Sequence, residues 1–145
     1  MKIMLISRTL IIILVICFQN IEGKMNFEQL VKAGKPVGKT CQRQTGCPIE
    51  LIQNAKTKGE FPPVPELQCY FKCLFIAMGI IKNDKISEDA LNAQMAIMLT
   101  EDLAERLKGM ASVCIPEATS PNICEAAYQY TTCGYKYDSS LYFFP

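Results

Sequence analysis

Cysteine is the residue type whose spacing in this chain could do the most chemistry. Cys41, Cys69, Cys73, Cys114, Cys124 and Cys133 are separated by 27, 3, 40, 9 and 8 residues. Cys69 and Cys73 stand four apart, so on a helix they share one face. Their Cβ atoms would lie about 5–6 Å apart, too far for a direct disulfide, so each must reach another element. Cys124 and Cys133 are nine apart, two and a half helical turns, and should bridge to different partners. Six cysteines allow 15 connectivities, and helix geometry disfavours only those that contain one of the two local pairings, Cys69–Cys73 or Cys124–Cys133. Zinc is the rival reading of Cys69-x-x-x-Cys73. It finds no support, because the chain has no histidine and all six cysteines have a place in a disulfide framework. No metal site and no cofactor are expected.

The missing histidine removes more. Serine–histidine and cysteine–histidine nucleophiles and histidine general acids are excluded, and with them a secreted phospholipase. Paired carboxylates could still hydrolyse glycosides. Glu88-Asp89 and Glu101-Asp102 qualify by composition. Both pairs sit in the first turn of a helix, where negative charge favours the macrodipole. No Gly-rich phosphate loop is present. The chain is therefore expected not to be an enzyme and to have no catalytic residues.

The elements that hold these residues begin after the N-terminus. Lys2 and Arg8 precede the apolar run Leu10–Phe18, which is too short to span a membrane. A cleavage site follows Gly23. Residues 1–23 thus read as a signal peptide, and residues 24–145 as one secreted, extracellular domain. In an oxidising compartment cysteines pair. Cys17 leaves with the leader, so Cys47 is the odd thiol and is expected to be free. Without Lys2, Arg8 and Glu22 the 15 basic and 14 acidic residues become 13 and 13. No basic run stands out, so nucleic acid is not an expected partner.

The mature region reads as helix after helix. Asn26 caps a helix from Phe27 towards Cys41, which Pro36 should kink or divide. Pro48 opens a second helix that Gly59 ends. Phe61-Pro-Pro-Val-Pro65 is a stiff connector. The third helix, Glu66 to Met78, is apolar nearly all round and should be central. A turn at Lys82–Lys85 follows. Ser87 and Thr100 cap the next two helices, and Ser120-Pro121 opens the last, which ends near Gly134. The expected fold is all-α: a compact bundle of about six helices around an apolar cavity, held by three disulfides.

The spacing, the leader and the helical pattern resemble an insect odorant-binding protein of the pheromone-binding type. Phe27-Glu-Gln-Leu30, Leu67-Gln-Cys-Tyr-Phe-Lys-Cys73 and Cys124-Glu-Ala-Ala-Tyr128 carry the resemblance. It implies bridges Cys41–Cys73, Cys69–Cys124 and Cys114–Cys133, which avoid both disfavoured pairings. Cys47 departs from the family pattern. The resemblance also implies a ligand pocket lined by Val37, Phe71, Phe75, Ile86, Leu91, Met95, Met110 and Val113. Met78, Met95, Met98 and Met110 are adaptable enough to mould to varied ligands.

The C-terminal run Leu141-Tyr-Phe-Phe-Pro145 is too apolar to hang free in water. By the resemblance, a lid segment 135–145 should fold over the cavity and bring Phe143 and Phe144 to the ligand. The implied function is a secreted carrier for small hydrophobic ligands: odorants, pheromones or lipid-like molecules. Tyr128, Tyr130 and Tyr142 are the expected polar contacts, because serine and threonine are sparse. An odorant receptor or the receptor-neuron membrane would take delivery, from a monomer or weak homodimer. The alternative is a non-olfactory extracellular protein on the same scaffold that acts through a protein partner, with Cys47 and the tail at an interface. Without histidine, any acid-triggered release must use carboxylates, and Asp138 and the Pro145 carboxylate are the ones placed on the lid.

Overall fold

The computed structural model describes residues 23–145. The expected signal peptide, residues 1–23, lies outside them apart from Gly23. Among the described residues there are six α-helices: α1 Phe27–Thr45, α2 Ile49–Lys58, α3 Pro65–Ala77, α4 Glu88–Met98, α5 Glu101–Cys114 and α6 Ile123–Tyr137. A short hairpin, β1 Ile81–Lys82 and β2 Lys85–Ile86, separates α3 from α4. Asn83 and Asp84 both take positive φ, the pair that a tight two-residue hairpin turn requires.

Local chemistry sets the ends of these helices. Asn26 and Gln29 form a reciprocal capping box at the start of α1, with both hydrogen bonds at 3.0 Å. Asn122 accepts from the amides of Cys124 and Glu125 at the start of α6. Gly46 and Gly59 close α1 and α2 in the left-handed conformation. Pro36 does not divide α1, contrary to the expectation from its ring. Pro36 and Lys32, whose carbonyl loses its donor, both lie on the exposed side of the helix, where water can serve that carbonyl.

The central helix is α3. It buries Leu67, Tyr70, Phe71, Leu74 and Phe75 and packs most extensively on α6, then on α1. Small residues on the inner face of α6, Ala126, Ala127 and Gly134, let its neighbours come close. Three disulfides fix this arrangement. Cys41–Cys73 ties α1 to α3, Cys69–Cys124 ties α3 to α6, and Cys114–Cys133 ties α5 to α6. They span 32, 55 and 19 residues. Each is worth roughly 3–4 kcal/mol by loop-closure entropy. Helices α2 and α4 carry no bridge. Ahead of α1, Met25 pairs with the α4–α5 junction, donating to the Met98 carbonyl and accepting from Thr100.

Candidate ligand-binding site

Helical periodicity turns apolar stripes from several elements towards one space. On α4 the stripe is Leu91, Gln94, Met95 and Met98, spaced i, i+3, i+4 and i+7. On α3 it is Leu74 and Phe75, followed by the capping residue Met78, and on α5 Leu107 and Met110. Helix α1 contributes Leu30, Ala33, Gly34 and Val37. Together with Tyr130 of α6 and the chain end Phe143-Phe144-Pro145, they enclose a cavity of about 350 Å³. Among the described residues no Asp, Glu, Lys or Arg lines it, and Gln94 and Tyr130 are the polar side chains. Of the lining residues Ala33, Ala77 and Met98 are exposed, which puts the mouth between α1, α3 and the end of α4.

The tail seals the other side. Helix α6 continues to Tyr137, so the free segment begins at Asp138 rather than at Tyr135. Asp138 starts a 3-10 turn, Ser139–Leu141, by accepting from the Ser140 amide and hydroxyl. Its carboxylate also pairs with Arg106 of α5 at 3.0 Å. The Ser140 hydroxyl, with help from the Ser140 amide and Arg106, holds the Asp138 carboxyl below its ordinary value of 3.8, against a partial opposing effect of desolvation. Leu141 and Phe144 are buried. The Phe144 ring lies 5.6 Å from Phe75 and 5.8 Å from Phe71. Pro145 rests on Gly34 and Gly38 of α1, and Tyr70 donates its hydroxyl to the Pro145 main-chain oxygen at 2.6 Å.

The residues expected to line a pocket divide. Val37, Phe75, Leu91, Met95, Met110, Phe143 and Phe144 stand together around the cavity. Phe71, Ile86 and Val113 do not. Phe71 is wholly buried but lies behind Phe144, against Phe61 and Tyr70. Ile86 sits on β2, which packs on α6 instead. Val113 is 46% exposed, because Cys114 takes the inward position to reach Cys133 and turns its neighbour to solvent.

The three tyrosines divide as well. Tyr128 spends its hydroxyl on the Phe61 carbonyl at 2.7 Å. Tyr142 packs among Phe61, Tyr135 and Phe144. Tyr130 alone of the three lines the cavity, with its ring edge-on to Phe75 at 5.3 Å. Burial pushes the Tyr130 phenol above its ordinary value of 10.0. Gln94, Leu74, Ile80 and Leu107 also line the cavity, beyond the residues expected there. The i, i+3, i+4, i+7 spacing of Leu91, Gln94, Met95 and Met98 was a usable signal for the first.

Among the described residues Cys47 is the free cysteine, and it is fully buried. Burial, and then the charge of Glu66, push its thiol from 9.0 up to about 11. Among the described residues no cluster of His, Cys, Asp or Glu could hold a metal ion. No described helix is long and apolar enough to cross a membrane.

This arrangement defines a class: a small helical binding protein, stapled by disulfides around an apolar chamber. More narrowly, residues 23–137 match the PBP/GOBP family, and the chain belongs to it. Similar proteins include general odorant-binding protein 69a of Drosophila melanogaster, 25% identical over 72% of this chain and 68% of that protein. General odorant-binding protein 19a of the same fly is 25% identical over 86% of each chain. Among solved structures, odorant binding protein 5 of Apis mellifera superimposes with a TM-score of 0.74 at 30% identity, covering 84% of this chain and 99% of that one. Odorant binding protein 4 of Chrysopa pallens gives 0.74 at 30% identity, covering 83% and 99%.

Proposed function

We propose that this protein is an extracellular carrier that takes up a small hydrophobic molecule in its central cavity and moves it through aqueous fluid. The observation that carries this reading is the cavity of about 350 Å³, lined almost wholly by apolar side chains and covered by the chain's own aromatic tail. Space of that kind is costly to keep, since close packing is what stabilises an interior. The names of its relatives point to odorants as the ligand class. At packing densities of about 0.55–0.75, the volume suits roughly ten to fifteen non-hydrogen atoms. The driving force is about 25 cal/mol for each Å² of apolar ligand surface withdrawn from water, less the cost of immobilising the ligand.

In this reading Val37, Phe75, Leu91, Met95, Met110, Phe143 and Phe144 contact the ligand. Release to an odorant receptor or a receptor-neuron membrane, by a monomer or weak homodimer, belongs to the same proposal. The test is displacement of a fluorescent apolar probe, N-phenyl-1-naphthylamine, by volatile alcohols, ketones and hydrocarbons. Saturable probe binding that these compete away supports a carrier. A folded protein that binds no probe would sink the reading and favour a protein partner instead.

A further inference from the structure

We infer that the cavity selects neutral ligands bearing a hydrogen-bond-accepting oxygen, and that the Tyr130 hydroxyl is the group that recognises it. This deepens the carrier reading and rests on it. Tyr130 is 3% exposed, and its hydroxyl has no hydrogen-bond partner among the described residues. Yet among those residues no sealed side-chain oxygen or nitrogen lacks a partner. The hydroxyl is therefore not sealed, and the residue that carries it lines the cavity. A phenol that has left water without a partner is an energetic liability that an incoming acceptor removes.

The surroundings narrow the ligand further. Burial raises the Tyr130 pKa, so the phenol stays protonated at physiological pH and offers a donor. Among the described residues no cationic side chain lines the cavity. An ionised carboxylate would enter without a counter-charge, which low-dielectric surroundings penalise heavily. Gln94, the other polar lining side chain, is only partly buried and can be served by water. Alcohols, ketones, aldehydes and esters fit these conditions. Fatty-acid anions do not, and hydrocarbons leave the phenol unpartnered.

Probe competition with 1-decanol, undecane and decanoate, on the intact protein and on Tyr130→Phe, tests this. The substitution removes one oxygen and keeps the ring against Phe75. Affinity for 1-decanol should fall roughly three- to tenfold in the variant, while undecane is unchanged or improves. In the unsubstituted protein at pH 8, decanoate should bind at least about tenfold more weakly than 1-decanol. Infrared spectra of bound 2-undecanone give a readout that needs no variant: its carbonyl stretch should lie below the value in alkane solvent. An unshifted carbonyl, an equal effect of Tyr130→Phe on decanol and undecane, or decanoate binding as tightly as decanol would each overturn the inference. Failure of all ligands to displace the probe would instead remove the carrier reading, and this inference with it.

Discussion

Tyr70 and Pro145, 75 residues apart in the chain, are joined by a 2.6 Å hydrogen bond from the phenol to the proline main-chain oxygen. The bond is possible because Pro145 drops into a notch on α1 where two glycines, Gly34 and Gly38, leave no side chain. A phenol in the central helix and a gap in the first one thus hold down the tail that closes the cavity.

The two glycines should respond differently to alanine. A Cβ on Gly38 would stand 2.8 Å from Pro145 Cβ and 3.1 Å from the Tyr70 hydroxyl, whereas one on Gly34 meets Pro145 at an ordinary 3.6 Å. Gly38→Ala should dislodge Pro145 and speed ligand dissociation severalfold in stopped-flow probe release. Gly34→Ala should leave release unchanged and gain about 0.5–1 kcal/mol of stability from helix propensity. Equal release rates for the two variants would show that the notch does not hold the tail.

Cavity walls and core should separate in mutagenesis. Phe75 is fully buried between Tyr130 and Phe144, so Phe75→Ala should cost about 3–5 kcal/mol of stability as well as about 1–3 kcal/mol of ligand affinity. Leu91 lines the cavity from α4 but is only partly buried. Leu91→Ala should lose about 1 kcal/mol of apolar-ligand affinity with a smaller loss of stability. Chemical denaturation and probe competition on the same samples measure both quantities.

Acid should act on the tail late. The Asp138 carboxyl is held below 3.8, first by the Ser140 hydroxyl and then by the Ser140 amide and Arg106. A depressed folded-state value means that the contribution is complete above the unfolded value and is lost only as pH falls through the folded one. Ligand retention should therefore be flat from pH 7.5 to about 5 and decline below about 4. Asp138→Asn should remove that acid limb in a pH series of probe binding. A steep loss near pH 6 in the unsubstituted protein would contradict this assignment.

Alkali should act through the buried thiol before the tyrosines. Cys47 is raised from 9.0 to about 11, so the unfolded chain ionises first and stability falls as pH rises from 9 towards 11. The raised tyrosines Tyr70, Tyr130 and Tyr142 join only above their ordinary 10.0. Cys47→Ala should flatten the stability curve between pH 9 and 10 in urea melts. Iodoacetamide should label Cys47 only after unfolding, and non-reduced peptide maps should recover the three bridges without it.

Much of the fold was written in local chemistry. The Asn26 and Ser87 caps, the stops at Gly46 and Gly59, and the all-round apolar α3 each follow from residues within a turn of one another. The cysteine spacing disfavoured two local pairings but left most of the 15 connectivities open, and the resemblance to a family chose among them. The cavity was less legible, because facing inward and facing the chamber are different properties. Phe71 and Phe75 are one turn apart and both buried, yet only Phe75 reaches the cavity; Phe144, from the far end of the chain, comes between. Val113, a position implied by the family resemblance, stands outside the cavity, because in this chain the Cys114–Cys133 bond holds the next residue inward and leaves Val113 46% exposed. The Gly34–Gly38 notch and its occupant lie more than a hundred residues apart, and no local pattern links them.

The distribution of disulfides gives the chamber a mechanical asymmetry. Four of its helices, α1, α3, α5 and α6, form one covalently stapled frame. Helix α4 contributes Leu91, Gln94, Met95 and Met98 to the lining without any staple, and is clipped at its far end by the backbone bonds of Met25. The chamber therefore works like a vice with a rigid body and one sprung jaw. Differences in ligand girth fall on the jaw, whose two methionines yield most readily. Substitutions along α4 can retune what the protein holds without disturbing the frame that keeps it folded.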